Sequence, residues 1–163
     1  MKFVLFKKSL EAGADPIYLF DGEEEYFKAR GEEMLRERFL CEPSINFSSM
    51  HGETLKGSSL TSLTAAAESF PFLSEKRMVK VTDLYPSEHD YENYLKKYFE
   101  DPQQSTILLI VNSRPPKGKY FDLKKAPHVT HVDCSRADEE TTLRWIYTRF
   151  RRCLLYTSDA ADD

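Results

Sequence analysis

The chain has 163 residues, 40% of them hydrophobic and 31% charged, with a net charge of −4. That is enough for one ordinary domain plus a fragment of a second, and too apolar for wholesale disorder. No apolar run nears the roughly 20 residues of a membrane span, residues 1–16 are too interrupted for a signal peptide, and the net negative charge argues against a generic nucleic-acid binder.

Phe3, Phe6 and Leu10 fall on one helical stripe, closed by Gly13 and Asp15-Pro16. Ile17 to Phe20 is a short apolar run of β-formers, read as a buried strand. Residues 23–40 read as a helix with an acidic first turn, which suits the positive end of the helix dipole, and with Phe27, Met34, Leu35 and Phe39 on one side. Residues 44–50 are a weak strand candidate. A second helix over 58–70 places Leu60, Leu63, Ala67 and Phe70 at helical spacing. Arg77 to Val81 is the next strand, and Tyr91, Tyr94, Leu95, Tyr98 and Phe99 mark the clearest helical stripe. Ser105 to Asn112 is a continuous apolar run of the kind a central parallel strand shows, and 128–134 supply a last strand. Strands alternating with helices call for an α/β fold, a parallel sheet with right-handed crossovers and helices on both faces. Leu143, Ile146, Tyr147 and Phe150 then mark a further helix, capped by Asp138 or Thr141, with Trp145 off its stripe.

Cys153 to Asp163 breaks this pattern and turns small and acidic. It resembles the translated read-through of a sequencing-library adapter, so 153–163 is expected to be a non-native tail and the natural protein to continue past Arg152. A frayed acidic tail is the alternative. The three cysteines, Cys41, Cys134 and Cys153, are too few and scattered for a disulfide framework or a zinc site, so a reduced, cytoplasmic protein is expected.

In an α/β sheet a phosphate loop would follow the first strand. Here that turn holds Gly22 and then Glu23, Glu24 and Glu25 in place of GxxxxGK[ST]. Three carboxylates at a helix start would repel a triphosphate, so no nucleotide cofactor is expected. Asp21 and Asp83, each at a strand end, leave open as the alternative a Mg²⁺-binding receiver-like or phosphoryl-transfer site; a helix start with favourable charge placement and a lone strand-end Asp is the reading preferred. His51, His89, His128 and His131 lack metal-like spacing, since His128 and His131 in a strand point to opposite faces. Residues 114–136 carry six basic residues, Arg114, Lys117, Lys119, Lys124, Lys125 and Arg136, against Asp122 and Asp133. With Tyr120 and Phe121 interleaved, they suit either a solvated loop or a nucleic-acid-binding module that tracks a phosphate backbone.

Ser69 to Val81, "SFPFLSEKRMVKV", crowds apolar residues at a helix end. The helical stripe assigns Phe70 to the core, and Pro71 ends the helix. Phe72 and Leu73 are then left on the turn, either folded back onto the core or offered to a partner.

The order of "YLFDGEEEYFKAR", "AAAESFPFLSEKRMVKV", "STILLIVN" and "VDCSRADEETTLRWI" resembles the N-terminal part of the delta subunit of bacterial DNA polymerase III, over roughly Asp15 to Arg152. The resemblance implies an AAA+-like (RecA-type) domain without a functional P-loop over 1–136, followed by the first helix of a truncated helical lid over 137–152. It implies a non-catalytic subunit with no cofactor or metal, which binds the sliding clamp and opens or holds open the ring for loading onto primed DNA. ATP on the other loader subunits would supply the free energy. The family's clamp-binding element, an adjacent apolar pair between a helix end and a basic-then-apolar strand, falls on Phe72 and Leu73, beside Pro71. Ser74, Glu75, Lys76 and Arg77 would form its polar rim. Lys117, Lys119, Lys124 and Lys125 would assist with DNA. Contacts to the gamma/tau and delta prime subunits would lie mostly in parts beyond this chain.

Overall fold

Seven consecutive buried residues, Thr106–Asn112, form the central strand β4 of a five-stranded sheet. Its partners are β1 (Ile17–Asp21), β2 (Phe47–His51), β3 (Arg77–Thr82) and β5 (Val129–Asp133), in the order β2-β3-β4-β1-β5. All four pairings are parallel. The computed structural model describes residues 1–113, 115, 117–136, 143 and 147. The expected lid helix over 137–152, the tail over 153–163 and Arg114 thus lie outside the described residues, except that Leu143 and Tyr147 are helical and exposed.

Alternation along the strands divides the core in two. On one face Ile17, Leu19, Val79, Val81, Leu108 and Ile110 pack with Leu63 and Ala67 of α4 (Thr61–Glu68) and with Leu60 from the 3-10 turn just ahead of it. Leu95, Tyr98 and Phe99 join them from a helix that begins as α5 (Glu88–Asp90), passes through a π turn (Tyr91–Leu95) and continues as α6 (Lys96–Glu100). On the other face Tyr18, Phe20, Met78, Ile107 and Leu109 meet Phe6 of α1 (Phe3–Ser9) and Leu35 of α2 (Glu25–Phe39). Helices therefore cover both faces, as the strand–helix alternation requires. Among the described residues no helix is long and apolar enough to cross a membrane.

Two local expectations are corrected. The segment read as a strand from residue 44 begins instead as a helical turn, α3 (Pro43–Asn46), before β2 starts at Phe47. Pro43 at the first helical position sets the φ that a helix needs. The second correction concerns Phe70, assigned to the core by its spacing. It is 79% exposed. α4 stops at Glu68 and Ser69 is already extended, with φ −69° and ψ 142°. A residue before proline is pushed out of the helical region by the proline ring, so the chain leaves the helix ahead of Phe70 and breaks the stripe. Phe70→Ala should therefore change unfolding free energy by less than about 0.5 kcal/mol, as at other surface sites. A buried phenylalanine would cost about 3–5 kcal/mol; urea titration separates the two.

Candidate functional site

The sheet offers two places to look, at opposite ends of its strands. Strand order reverses between β1 and β4, and ligands of open α/β sheets bind outside the carboxyl ends at such a point. Here the crevice is closed by the chain itself. The loop after β1 is fastened to the end of β5: the Cys134 amide donates to Asp21 O at 2.8 Å, and the Glu24 amide donates to Cys134 O at 2.9 Å. Gly22, at φ 144°, lets the two backbones touch, because a Cβ there would lie 2.2 Å from the Cys134 carbonyl carbon. The glycine serves this close contact between two backbones.

Next to it, Lys28 of α2 is buried to 2% exposure and donates to Glu25 Oε1 at 2.8 Å and Ser113 Oγ at 3.1 Å. The bond from Lys28 holds the Glu25 carboxyl below the usual carboxylate range. At the neighbouring strand ends Asp83 accepts from the Ser113 amide at 3.0 Å, and Asn112 exchanges two hydrogen bonds with the Leu84 backbone. Asp21 is ion-paired with Lys124 at 2.6 Å, which raises the lysine's pKa, and His131 lies 3.9 Å from the same carboxylate oxygen. Both carboxylates offered for Mg²⁺ are thus engaged by protein groups. Among the described residues no three His, Cys, Asp or Glu side chains converge as a metal would need.

The basic segment divides in the same way. Lys124 is taken up by Asp21, and Phe121 stacks on Tyr91 with ring centroids 3.7 Å apart and so belongs to the core. Tyr120 meets Tyr85 edge-on. Lys117, Lys119 and Lys125 are exposed and face solvent.

At the other end of the sheet, the loop between α4 and β3 carries Phe70, Phe72 and Leu73 at 79%, 57% and 84% exposure. They form a tip of three large apolar side chains, one more than the sequence assigns. Leu73 has φ 49°, in the left-handed region, which costs a non-glycine residue about 1–2 kcal/mol. At 84% exposed, its side chain recovers little of that cost by burial within the domain. Strain held at an exposed apolar residue makes the tip the candidate site, because glycine or asparagine would adopt this backbone at lower cost.

The tip has a rigid base. Asn46, 2% exposed, accepts from the Phe72 amide through Oδ1 at 2.8 Å and donates through Nδ2 to Phe72 O at 2.9 Å and to Cys41 O at 3.0 Å. Ser74 Oγ donates to Lys76 O at 2.8 Å, Lys76 Nζ donates to Gln104 O at 2.7 Å, and the Arg77 amide donates to Ser105 O at 3.0 Å as β3 begins. Of the four rim residues Glu75 is exposed, while Ser74, Lys76 and Arg77 are half-buried and partly committed to holding the loop. Leu73 also borders a groove walled by Phe39, Leu40 and Cys41 from the end of α2 and by Gly13 and Ala14 ahead of β1.

Sequence reasoning missed Asn46. It is the polar member of an Ile45-Asn46 pair in which Ile45 is 56% exposed and the asparagine is buried, the reverse of what side-chain polarity suggests. Its partner lies 26 residues away, and no local pattern reports such a contact.

Comparison with known proteins bears on the whole arrangement. Residues 18–135 match the model of a family described as DNA polymerase III, delta subunit. No curated protein sequence matches the chain. Among solved structures the chain is similar to the Bacillus subtilis DNA clamp loader delta protein (YqeN), with TM-score 0.69 and 22% identity over 88% of this chain and 45% of that one. It is also similar to a DNA polymerase III gamma subunit-related protein from Thermotoga maritima, with TM-score 0.58 and 15% identity over 85% of this chain and 47% of that one. The chain thus spans under half the length of either structure. At these identities the likeness shows the fold, the AAA+-like α/β architecture of clamp-loader proteins.

Proposed function

We propose that this chain, which belongs to the DNA polymerase III delta-subunit family, acts in clamp loading by binding the sliding clamp through the tip at Phe72 and Leu73. The observation that carries this reading is Leu73 itself, large, apolar, 84% exposed and held at φ 49°. A side chain of this kind that contributes nothing to its own core is suited to a pocket on another protein. Burying each of Phe72 and Leu73 in a partner contributes on the order of 1.5–3 kcal/mol, the size of an interface hot spot. Phe70 extends the apolar area, Pro71 sets the turn, and Ser74, Glu75, Lys76 and Arg77 form the polar margin.

The role in ring opening follows from differential affinity. A tip that fits the clamp better when its subunit interface is parted shifts the ring toward the open form by that difference in binding free energy, and by no more. No catalysis is required of this chain. The closed crevice around Lys28 and the acidic turn at Glu23 to Glu25 are consistent with nucleotide being handled by other subunits. Titration of the isolated clamp with this chain, followed calorimetrically, tests the reading. Saturable binding with a negative heat-capacity change is expected, because apolar burial produces one; absence of binding at tens of micromolar would remove the proposal.

Primed DNA is the second partner; of the exposed lysines Lys117, Lys119 and Lys125 that would meet it, Lys117 and Lys119 lie together on the loop. Replacing both by glutamate should flatten the dependence of log affinity for single- or double-stranded DNA on log salt by about two, one for each lost phosphate contact. An unchanged slope would assign the segment to solvent.

A further inference from the structure

We infer that Asn46 is a positioning residue for the clamp contact, which fixes Phe72 and Leu73 in their binding geometry before any partner arrives. This rests on the reading of the tip as the clamp-binding element. The side-chain amide of Asn46 uses its oxygen and its nitrogen on both backbone groups of one residue, Phe72, at 2.8 and 2.9 Å. Such a pairing imitates a strand partner and locks the peptide planes on either side of Phe72. The remaining Nδ2 hydrogen reaches Cys41 O at 3.0 Å, so the loop is tied to the end of α2 as well as to α3. With Asn46 buried, water cannot easily replace these bonds, and an orphaned amide or carbonyl at Phe72 would carry a desolvation cost.

The consequence for Leu73 is direct. Its left-handed backbone follows immediately after the clamped residue and precedes Ser74, whose hydroxyl closes on Lys76 O. Between those two fixed points the strained conformation has no room to relax toward the extended region. The asparagine thus removes the loop-ordering cost that a flexible tip would meet on binding, and preorganisation of that kind appears chiefly as slower dissociation.

The test uses the full chain with Asn46→Ala, with the isolated clamp as the probe. Dissociation from the clamp should quicken and the Kd rise at least tenfold. Val132→Ala, a core truncation on the distant strand β5, should lower thermal stability without moving the Kd by more than twofold. That contrast separates positioning from a general loss of stability. In the unaltered chain the Phe72 amide should exchange with solvent at least tenfold more slowly than an unstructured amide, a measurement that needs no variant to fold. An Asn46→Ala Kd within twofold of the parent would overturn the inference if Phe72→Ala and Leu73→Ala weaken binding. Rapid exchange at Phe72 would overturn it also. If the Phe72 and Leu73 variants bind like the parent, the clamp reading itself fails first, and the two failures are distinguishable.

Discussion

Alanine at both Phe72 and Leu73 is expected to raise the Kd for the clamp at least a hundredfold while moving the melting temperature by no more than about 4 °C. The first figure follows from losing about 1.5–3 kcal/mol of apolar burial at each site, with every 1.4 kcal/mol worth about tenfold. The second follows from exposure. At 57% and 84% exposed these side chains contribute little to the domain's own core, surface substitutions usually stay within about 0.5 kcal/mol, and in a chain of this size 1 kcal/mol shifts the melting temperature by about 2–4 °C. Had the pair folded back onto the core, the outcome would be the reverse, with a large fall in melting temperature. A calorimetric melt of each variant distinguishes the two.

Gly22→Ala should destabilise the fold strongly. Its Cβ would sit 2.2–2.3 Å from the carbonyl carbon and oxygen of Cys134 and the nitrogen of Ser135, all backbone atoms with nowhere to move. Overpacking of this kind costs about 1–3 kcal/mol and sometimes more. Alanine at φ 144° adds backbone strain of about 1–3 kcal/mol. The sum is a large part of the roughly 5–15 kcal/mol that holds a domain together. The urea midpoint should fall by at least about 1 M, since small proteins lose about 1–3 kcal/mol per molar urea. An unchanged midpoint would mean that the loop after β1 is not fastened to the end of β5 as described.

What could be read ahead of the structure depended on how local the governing interaction is. The run through Ile107, Leu108, Leu109 and Ile110 announces a central strand because burial on both faces leaves no room for polar alternation, and β4 is that strand. The helices carrying Phe6, Leu35, Leu63 and Leu95 follow equally from spacing. Phe70 shows the limit of the same method. Its spacing fits the stripe, but proline at the next position withdraws the backbone from the helix before the stripe is complete, so a local steric rule outranks periodicity. The π turn across Tyr91–Leu95 leaves no mark in composition.

The tip was half legible. Two large apolar residues after a proline and before a strand are visible as a conflict with burial, which singles out Phe72 and Leu73 but leaves core and partner open; only the family resemblance points to a partner. The left-handed φ at Leu73 was not, because nothing but glycine or asparagine advertises that region in a sequence. Asn46 and the Asp21–Lys124 pair belong to the third class. They join segments 26 and 103 residues apart, and only the fold brings them together. Lys124 accordingly read as free charge for DNA, whereas in the structure it neutralises the strand-end carboxylate.

On the proposed reading the exposed tip, and not the strand-end crevice, is the working surface of this chain. Parallel titrations of the isolated clamp with the unaltered chain and with the Phe72→Ala/Leu73→Ala chain test it most directly, each protein being checked for an unchanged melt. Saturable binding is expected from the first and a Kd at least a hundredfold weaker from the second; equal affinities, within twofold, would rule out the tip as the clamp-binding surface.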